Sequence, residues 1–188
     1  MLSVLCAALI CRELGGGELA KGMAALFAAT IPEGILQASG AKNDYVLTGW
    51  ILSAAYWTLL FRRQPGWIPS GFLGASIGLA VLTKGTAYPF LPALALGGVW
   101  CGYYLVRQGM VPARRILHLE AVVVAAAVFL NTPQLVRNYL LFQKSWGRAE
   151  MRGSECHLTN KRFGPSVIWS NAVRNLALHL SSVSPALN

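Results

Sequence analysis

The sequence predicts an all-α, polytopic membrane domain with about five to six transmembrane helical segments. Three observations carry this. Hydrophobic residues make up 55% of the 188 positions. Charged residues make up only 12%, about half the roughly 25% of a soluble domain and too few to coat a water-facing surface of this size. The apolar residues also fall in runs divided by short basic or Gly/Pro-containing breaks, and the mean hydropathy is +0.49. This composition excludes a disordered chain, which combines low hydrophobicity with high net charge.

Residues 1–10 form an apolar run with no basic residue ahead of it and with Arg12 and Glu13 behind it. A signal peptide has the opposite order. A spanning helix needs about 20 residues, so the chain reads as a fragment that begins inside a membrane helix, and its stop after Asn188 is equally abrupt. Gly15-Gly16-Gly17 is a flexible turn, not a phosphate loop. Residues 20–38 form a second segment, interrupted by Pro32-Glu33-Gly34. Proline kinks a helix, and a membrane tolerates the break only where protein or a water-filled cavity covers it. After a polar stretch, residues 45–61 form a helix candidate bearing Tyr45, Trp50, Tyr56 and Trp57, ended by Arg62-Arg63-Gln64-Pro65-Gly66.

Residues 71–82 are apolar but short, and Thr83-Lys84-Gly85-Thr86 stops them. Residues 87–106 are long enough to span, a basic loop follows over 107–115, and 116–130 form the last strong span, closed by Asn131-Thr132-Pro133. Gly74-x-x-x-Gly78 and Gly98-x-x-x-Gly102 permit close helix approach and are read as packing. The expected organisation is thus a transmembrane helical domain over 1–131, truncated at its N-terminus, and a non-cytoplasmic segment over 132–188. Within the latter, 134–165 carry most of the remaining charge. Over 166–180, Val167, Trp169, Val173, Leu176 and Leu180 recur at helical spacing. That pattern suits a helix lying on the membrane surface or one packed on neighbouring protein.

The net charge is +9, from 16 Lys and Arg against 7 Asp and Glu. In a soluble protein this points to nucleic acid. Here the basic residues sit between apolar runs, where they meet lipid headgroups or anionic substrates, and no nucleic-acid partner is expected. Arg62-Arg63 and Arg107, Arg114 and Arg115 lie in two short loops, which basic residues direct to the cytoplasm. Arg12 and Lys21 fall on that side too. Residues 32–44, 83–86 and those from 131 onward then face the other side.

Three residues stand out on that second face. Asp44 immediately precedes a helix. It is either a residue stabilised by the helix dipole or a ligand, acid or base at the mouth of a membrane cavity. Lys84 lies among Thr83, Gly85 and Thr86, a setting suited to a phosphate; otherwise it snorkels to the interface. Arg137 follows the last span and is either a phosphate partner or an interface anchor. Cys6, Cys11 and Cys101 lie in apolar stretches, Cys156-His157 has no partner motif, and the three His residues are scattered, so no metal site is read. No Walker A loop, G-x-G-x-x-G, H-E-x-x-H or G-x-S-x-G signature is present.

With these positions in hand, the chain resembles the polytopic GT-C glycosyltransferases, near the dolichyl-phosphate-mannose protein mannosyltransferases and the bacterial lipid A aminoarabinose transferases. The likeness rests on Ile31-Pro32-Glu33-Gly34-Ile35-Leu36-Gln37-Ala38-Ser39 with Lys42-Asn43-Asp44, on Gly78-Leu79-Ala80-Val81-Leu82-Thr83-Lys84-Gly85-Thr86, and on Asn131-Thr132-Pro133 with Arg137-Asn138-Tyr139. Residues 160–164 and 170–180 add to it, so it spans most of the chain. The resemblance implies a GT-C-like transferase in a bacterial inner (plasma) membrane. Such an enzyme takes a sugar from a polyprenyl-phosphate donor and passes it to a lipid, glycan or protein acceptor on the non-cytoplasmic face. Asp44 would match an acidic residue near the acceptor or a bound divalent metal. Lys84 and Arg137 would match cations for the carrier phosphate. The family's principal catalytic carboxylate falls ahead of the region where this chain begins, which implies that the fragment alone is inactive. A non-enzymatic membrane protein, such as part of a transporter or an assembly subunit, is the competing reading, since broken helices with charge near the bilayer also suit transporters.

Overall fold

The computed structural model describes residues 1–40, 43–143 and 164–180. Every regular element among them is helical: α1 (Leu2–Glu13), α2 (Glu18–Thr30), α3 (Pro32–Ser39), α4 (Asp44–Arg63), α5 (Trp67–Thr83), a 3₁₀ segment (Gly85–Phe90), α6 (Leu91–Arg107), α7 (Ala113–Phe142) and α8 (Pro165–Leu180). The fold class is therefore all-α among the described residues. Lys42, the charged residues 144–163 and the Cys156-His157 pair lie outside them, and so does most of the 160–164 stretch.

Local chemistry sets the breaks. The α1–α2 turn places Gly15 at a φ of 94°, a left-handed conformation that favours glycine. A Cβ on Gly16 would lie 2.9 Å from the Cys11 carbonyl oxygen, so only a bare backbone passes there. Ile31 is extended (φ −57°, ψ 119°) because it precedes Pro32, and Pro32 then opens α3. The result is a 57° bend between α2 and α3, at the break the sequence predicts.

Side-chain contacts give the direction of each rod. Ser3 Oγ donates to the Tyr45 carbonyl at one end of α1, and Arg12 Nη2 reaches Tyr56 Oη toward the other, so α1 runs parallel to α4. The short 64–66 turn makes α4 and α5 an antiparallel hairpin. It is held by Trp57 stacked on Phe72 (4.7 Å between centroids, 11° between planes) and by a buried Ser53–Ser76 hydroxyl bond of 2.9 Å. Gly74 faces Val123 and Ala126, and Gly78 faces Ala127 and Leu130, so α5 and α7 run parallel. This is the most extensive helix pair in the fold, and α6 is the return stroke between its members.

The rods therefore share two ends. Arg12, Lys21, Arg62, Arg63, Arg107, Arg114 and Arg115 gather at one end. Asp44, Lys84 and the α2–α3 bend gather at the other. This is the grouping that the loop charges predict. One apolar cluster sits toward the arginine end (Phe61, Cys101, Leu105, Val111, Ile116, Leu119). Another sits toward the Asp44 end (Leu47, Ala80, Ala87). Polarity is inverted relative to a soluble protein: Ser53, Ser70, Ser76 and Thr58 are buried, while Leu96, Trp100, Val124 and Phe129 face outward.

Two expectations are corrected. Among the described residues, the expected five to six membrane segments reduce to two helices long and apolar enough to cross a membrane, Gly85–Arg107 and Ala113–Phe142, or three if the bent α2–α3 pair is one span. The reason is length and position. At 1.5 Å per residue, α1 reaches about 18 Å and α5 about 26 Å, short of the roughly 30 Å hydrocarbon core. α4 has 20 residues, but Thr48, Ser53 and Thr58 dilute its apolar character, and α1, α5 and α6 cover it.

The second correction concerns Asn131-Thr132-Pro133, which does not close the last span. α7 continues through Pro133 to Phe142. Asn131 Nδ2 donates to Ala127 O (2.9 Å) and to Gly78 O (3.0 Å), and Thr132 Oγ1 to Val128 O (2.8 Å), so just before the proline the helix is tied to its own preceding turn and to α5. The boundary drawn after residue 131 thus falls inside a continuous helix. α8 covers the predicted 166–180 stretch, touches the bundle through α3, and exposes Ile168, Trp169 and Val173.

Candidate functional site

Asp44 and Lys84 are forty residues apart in sequence and joined in space. Asp44 is the first residue of α4, where a negative charge meets the positive end of the helix dipole. No side chain caps that terminus, and the Asn43 backbone is not in a capping conformation. Lys84 follows the last residue of α5 in an extended conformation (φ −164°, ψ 139°), its N–H returning to the Ala80 carbonyl. A positive charge there complements the negative end of that helix. Because α4 and α5 are antiparallel, the two favourable charges meet, and Lys84 Nζ donates to Asp44 Oδ1 at 2.5 Å. The side chains keep 41% and 34% of their surface exposed. The pair is therefore open to a ligand from outside the bundle.

Asp44 also lines a cavity of about 190 Å³ between α1, α2, α3 and α4. Glu33, Gln37, Tyr45 and Thr48 share that wall. Glu33 accepts a 2.5 Å hydrogen bond from Gln37 Nε2, one turn along α3. Two carboxylates thus face one space, one of them oriented by an amide. Glu33 was not singled out by sequence reasoning; the signal was its place beside the proline break, which turns α3 across the mouth of the cavity.

Arg137 does not join this pair. It is exposed on α7, and no hydrogen bond or ion pair links it to Asp44 or Lys84. It does lie at the same end. The Asn131–Gly78 bond aligns α7 with α5, and Lys84 and Arg137 follow that bond by the same number of positions.

Two other carboxylates escaped sequence reasoning. Glu120 lies on α7 at the edge of an apolar cavity of about 330 Å³, lined by Leu73, Leu91, Gly98, Val124 and Val128. Glu13 ends α1 with its side chain only 5% exposed, bound by Arg12 and Arg63. Its signal was the Arg12-Glu13 adjacency at the end of an apolar run. Among the described residues, no three His, Cys, Asp or Glu side chains converge into a metal-binding group.

No protein family, curated protein or solved structure matches this chain.

Proposed function

We propose that the protein is an integral membrane glycosyltransferase of the GT-C type, acting at the Asp44–Lys84 end of the bundle on a sugar carried by a polyprenyl phosphate. The observation that carries this is the half-exposed Asp44–Lys84 pair beside a cavity that also holds Glu33. Membrane residence is supported by the two long apolar helices and by the apolar outer face.

The chemistry uses the pair as separable parts. In the transfer, the bond from the sugar anomeric carbon to the carrier phosphate oxygen breaks. A bond from that carbon to the acceptor oxygen or nitrogen forms, and the acceptor proton leaves to a base. Charge develops on the leaving phosphate, where a fixed cation stabilises the transition state more than the ground state. Lys84 supplies that cation by moving from Asp44 to the phosphate. Asp44, released, is a carboxylate able to take the acceptor proton. Arg137, at the same end, is a second cation for the phosphate. The isoprenoid chain lies against the apolar outer face. The orientation follows the positive-inside rule: the arginine end is cytoplasmic and the Asp44 end is not. The membrane is a bacterial plasma membrane, and the acceptor is a lipid, glycan or protein.

The test is binding of a polyprenyl phosphate to the protein in nanodiscs. Lys84→Ala is expected to weaken it about ten- to a hundredfold, the worth of one charge-assisted hydrogen bond. An unchanged affinity removes the physical support for a phosphate site. One observation favours a second reading, a non-enzymatic membrane subunit: Lys84 is already neutralised by Asp44, as in a brace tying α4 to α5. On that reading Lys84→Ala lowers stability and leaves phosphate affinity unchanged.

A further inference from the structure

The two glycines of the Gly98-x-x-x-Gly102 motif on α6 face different surroundings. Gly102 makes room for a side chain of α7: a Cβ there would lie 2.8 Å from Glu120 Oε1 and 2.8 Å from Ile116 Cγ2. One turn farther from the α6–α7 loop, a Cβ on Gly98 would meet nothing within 4 Å. The two helices part there around the apolar cavity of about 330 Å³. Buried Phe61 and Leu73 form its floor, and Val99, Val124 and Val128, each more than half exposed, form its rim. That rim belongs to the two helices long and apolar enough to cross a membrane, so in a bilayer the cavity opens sideways onto hydrocarbon.

Glu120 is the single polar side chain among the residues lining this cavity. It is half-buried and turned toward α6. Among the described residues, no cation lies within ion-pair distance of it and no donor bonds to its carboxylate. A carboxylate on a membrane helix faces the bundle interior or a cavity, and it pairs there. Glu120 has the cavity and lacks the pair. Volume decides what fits beside it. From Glu120 to Val128 is about 12 Å of helix. A partner helix about 10 Å across would occupy roughly 900 Å³ over that length, far more than the cavity holds. A single unbranched chain fits, and one polar group at the end of an apolar slot fixes its direction.

We infer that this cavity binds an amphiphile made of an unbranched alkyl chain and a terminal amine. The ammonium donates to Glu120, and the chain runs between α6 and α7 toward Leu91 and Val128. The inference rests on the membrane reading of these two helices and is independent of sugar transfer at the Asp44–Lys84 end.

The experiment is photo-crosslinking of the full chain in nanodiscs by decylamine with a diazirine at its tail end. Decanol and decanoate bearing the same group are run beside it. The alcohol tests the charge of the headgroup, and the carboxylate tests its sign. Amine adducts are expected around Leu91 and Val128, about tenfold above those of the alcohol, with the carboxylate lowest. Glu120→Gln should bring the amine down to the level of the alcohol. Gly98→Leu fills the cavity without touching a charge and should lower amine and alcohol together. Val124→Trp, at an exposed rim position outside the packed interior, narrows the mouth and should do the same, with helix content unchanged by circular dichroism.

Equal labelling by amine and alcohol overturns the inference and marks the groove as open to any chain or to a neighbouring helix. So does amine labelling that Glu120→Gln leaves unchanged, or labelling that neither Gly98→Leu nor Val124→Trp lowers. Reconstitution separates the two possible failures. A protein that enters nanodiscs but does not select the amine sinks this inference alone, and one that does not enter them sinks the membrane reading with it.

Discussion

Lys84 Nζ sits 2.5 Å from Asp44 Oδ1 and closes the α4–α5 hairpin at its open end. The contact joins two residues that the sequence marks separately, one as a helix-start carboxylate and one as a phosphate cation. It also turns two independent site residues into a coupled unit, so the effect of either substitution depends on what the other then does.

In the transfer reading, Asp44 competes with phosphate for Lys84. Asp44→Asn is therefore expected to tighten polyprenyl-phosphate binding several-fold while abolishing proton removal from the acceptor. In the brace reading it leaves binding unchanged and lowers stability by no more than about 1 kcal/mol, the range of a partly exposed ion pair. Titration of the nanodisc protein with the lipid, beside a denaturation midpoint, separates the two.

The two ends of the bundle should label from opposite sides. Gln64 and Asn43 are both exposed, at the arginine end and the Asp44 end respectively. With the native cysteines replaced, a membrane-impermeant thiol reagent added to sealed vesicles of one orientation should modify Gln64→Cys or Asn43→Cys, not both. Reaction of both from one side overturns the assignment.

Gly74 is expected to tolerate no side chain. A Cβ there meets the Val123 backbone and lies 2.9 Å from the Ala126 Cβ, so Gly74→Ala has to push α5 off α7, at a cost of about 1–3 kcal/mol. Gly71 on the same helix has nothing within 4 Å of a Cβ. Gly71→Ala should be neutral or slightly stabilising through helix propensity. Unfolding midpoints in detergent measure the contrast.

Ser53 and Ser76 bond across the buried middle of the α4–α5 hairpin, and Ser76 Oγ also lies 2.8 Å from the Phe72 carbonyl. Ser53→Ala should cost about 1 kcal/mol. Ser76→Ala should cost about the same, and the double variant less than the sum, since the two remove one shared bond. Strict additivity would show that the hydroxyls act independently.

What could be read from the sequence follows from what leaves a local trace. Proline and glycine punctuate the chain at Ile31-Pro32 and at the Gly15 turn, and the helices break there. The apolar runs over 87–106 and 116–130 both recur as long helices. Pro133 misled because a helix can run through a proline where a neighbouring element lies against it, and α7 continues to Phe142 beside α5. The membrane segments were overcounted because an apolar run does not reveal how long the helix over it is: α1 and α5 stop short of a bilayer's width. The Asp44–Lys84 contact was illegible because pairing depends on which helix ends are brought together, although each residue was visible alone. Gly98 shows the same limit. It shares a spacing motif with Gly102, yet its Cβ direction is empty while that of Gly102 abuts Ile116 and Glu120.

The parallel seating of α7 on α5 has a consequence for synthesis on the ribosome. The tightest interface in the fold is between helices that are not neighbours in the chain, and α6 must complete its crossing before the second partner exists. During that interval the notch formed by Gly74 and Gly78 has no partner, on a helix whose 17 residues are at the short end of what spans a bilayer. The nascent chain is therefore most vulnerable between the emergence of Thr83 and that of Leu130. A chain released by premature termination in that window carries a ready-made, unfilled docking face.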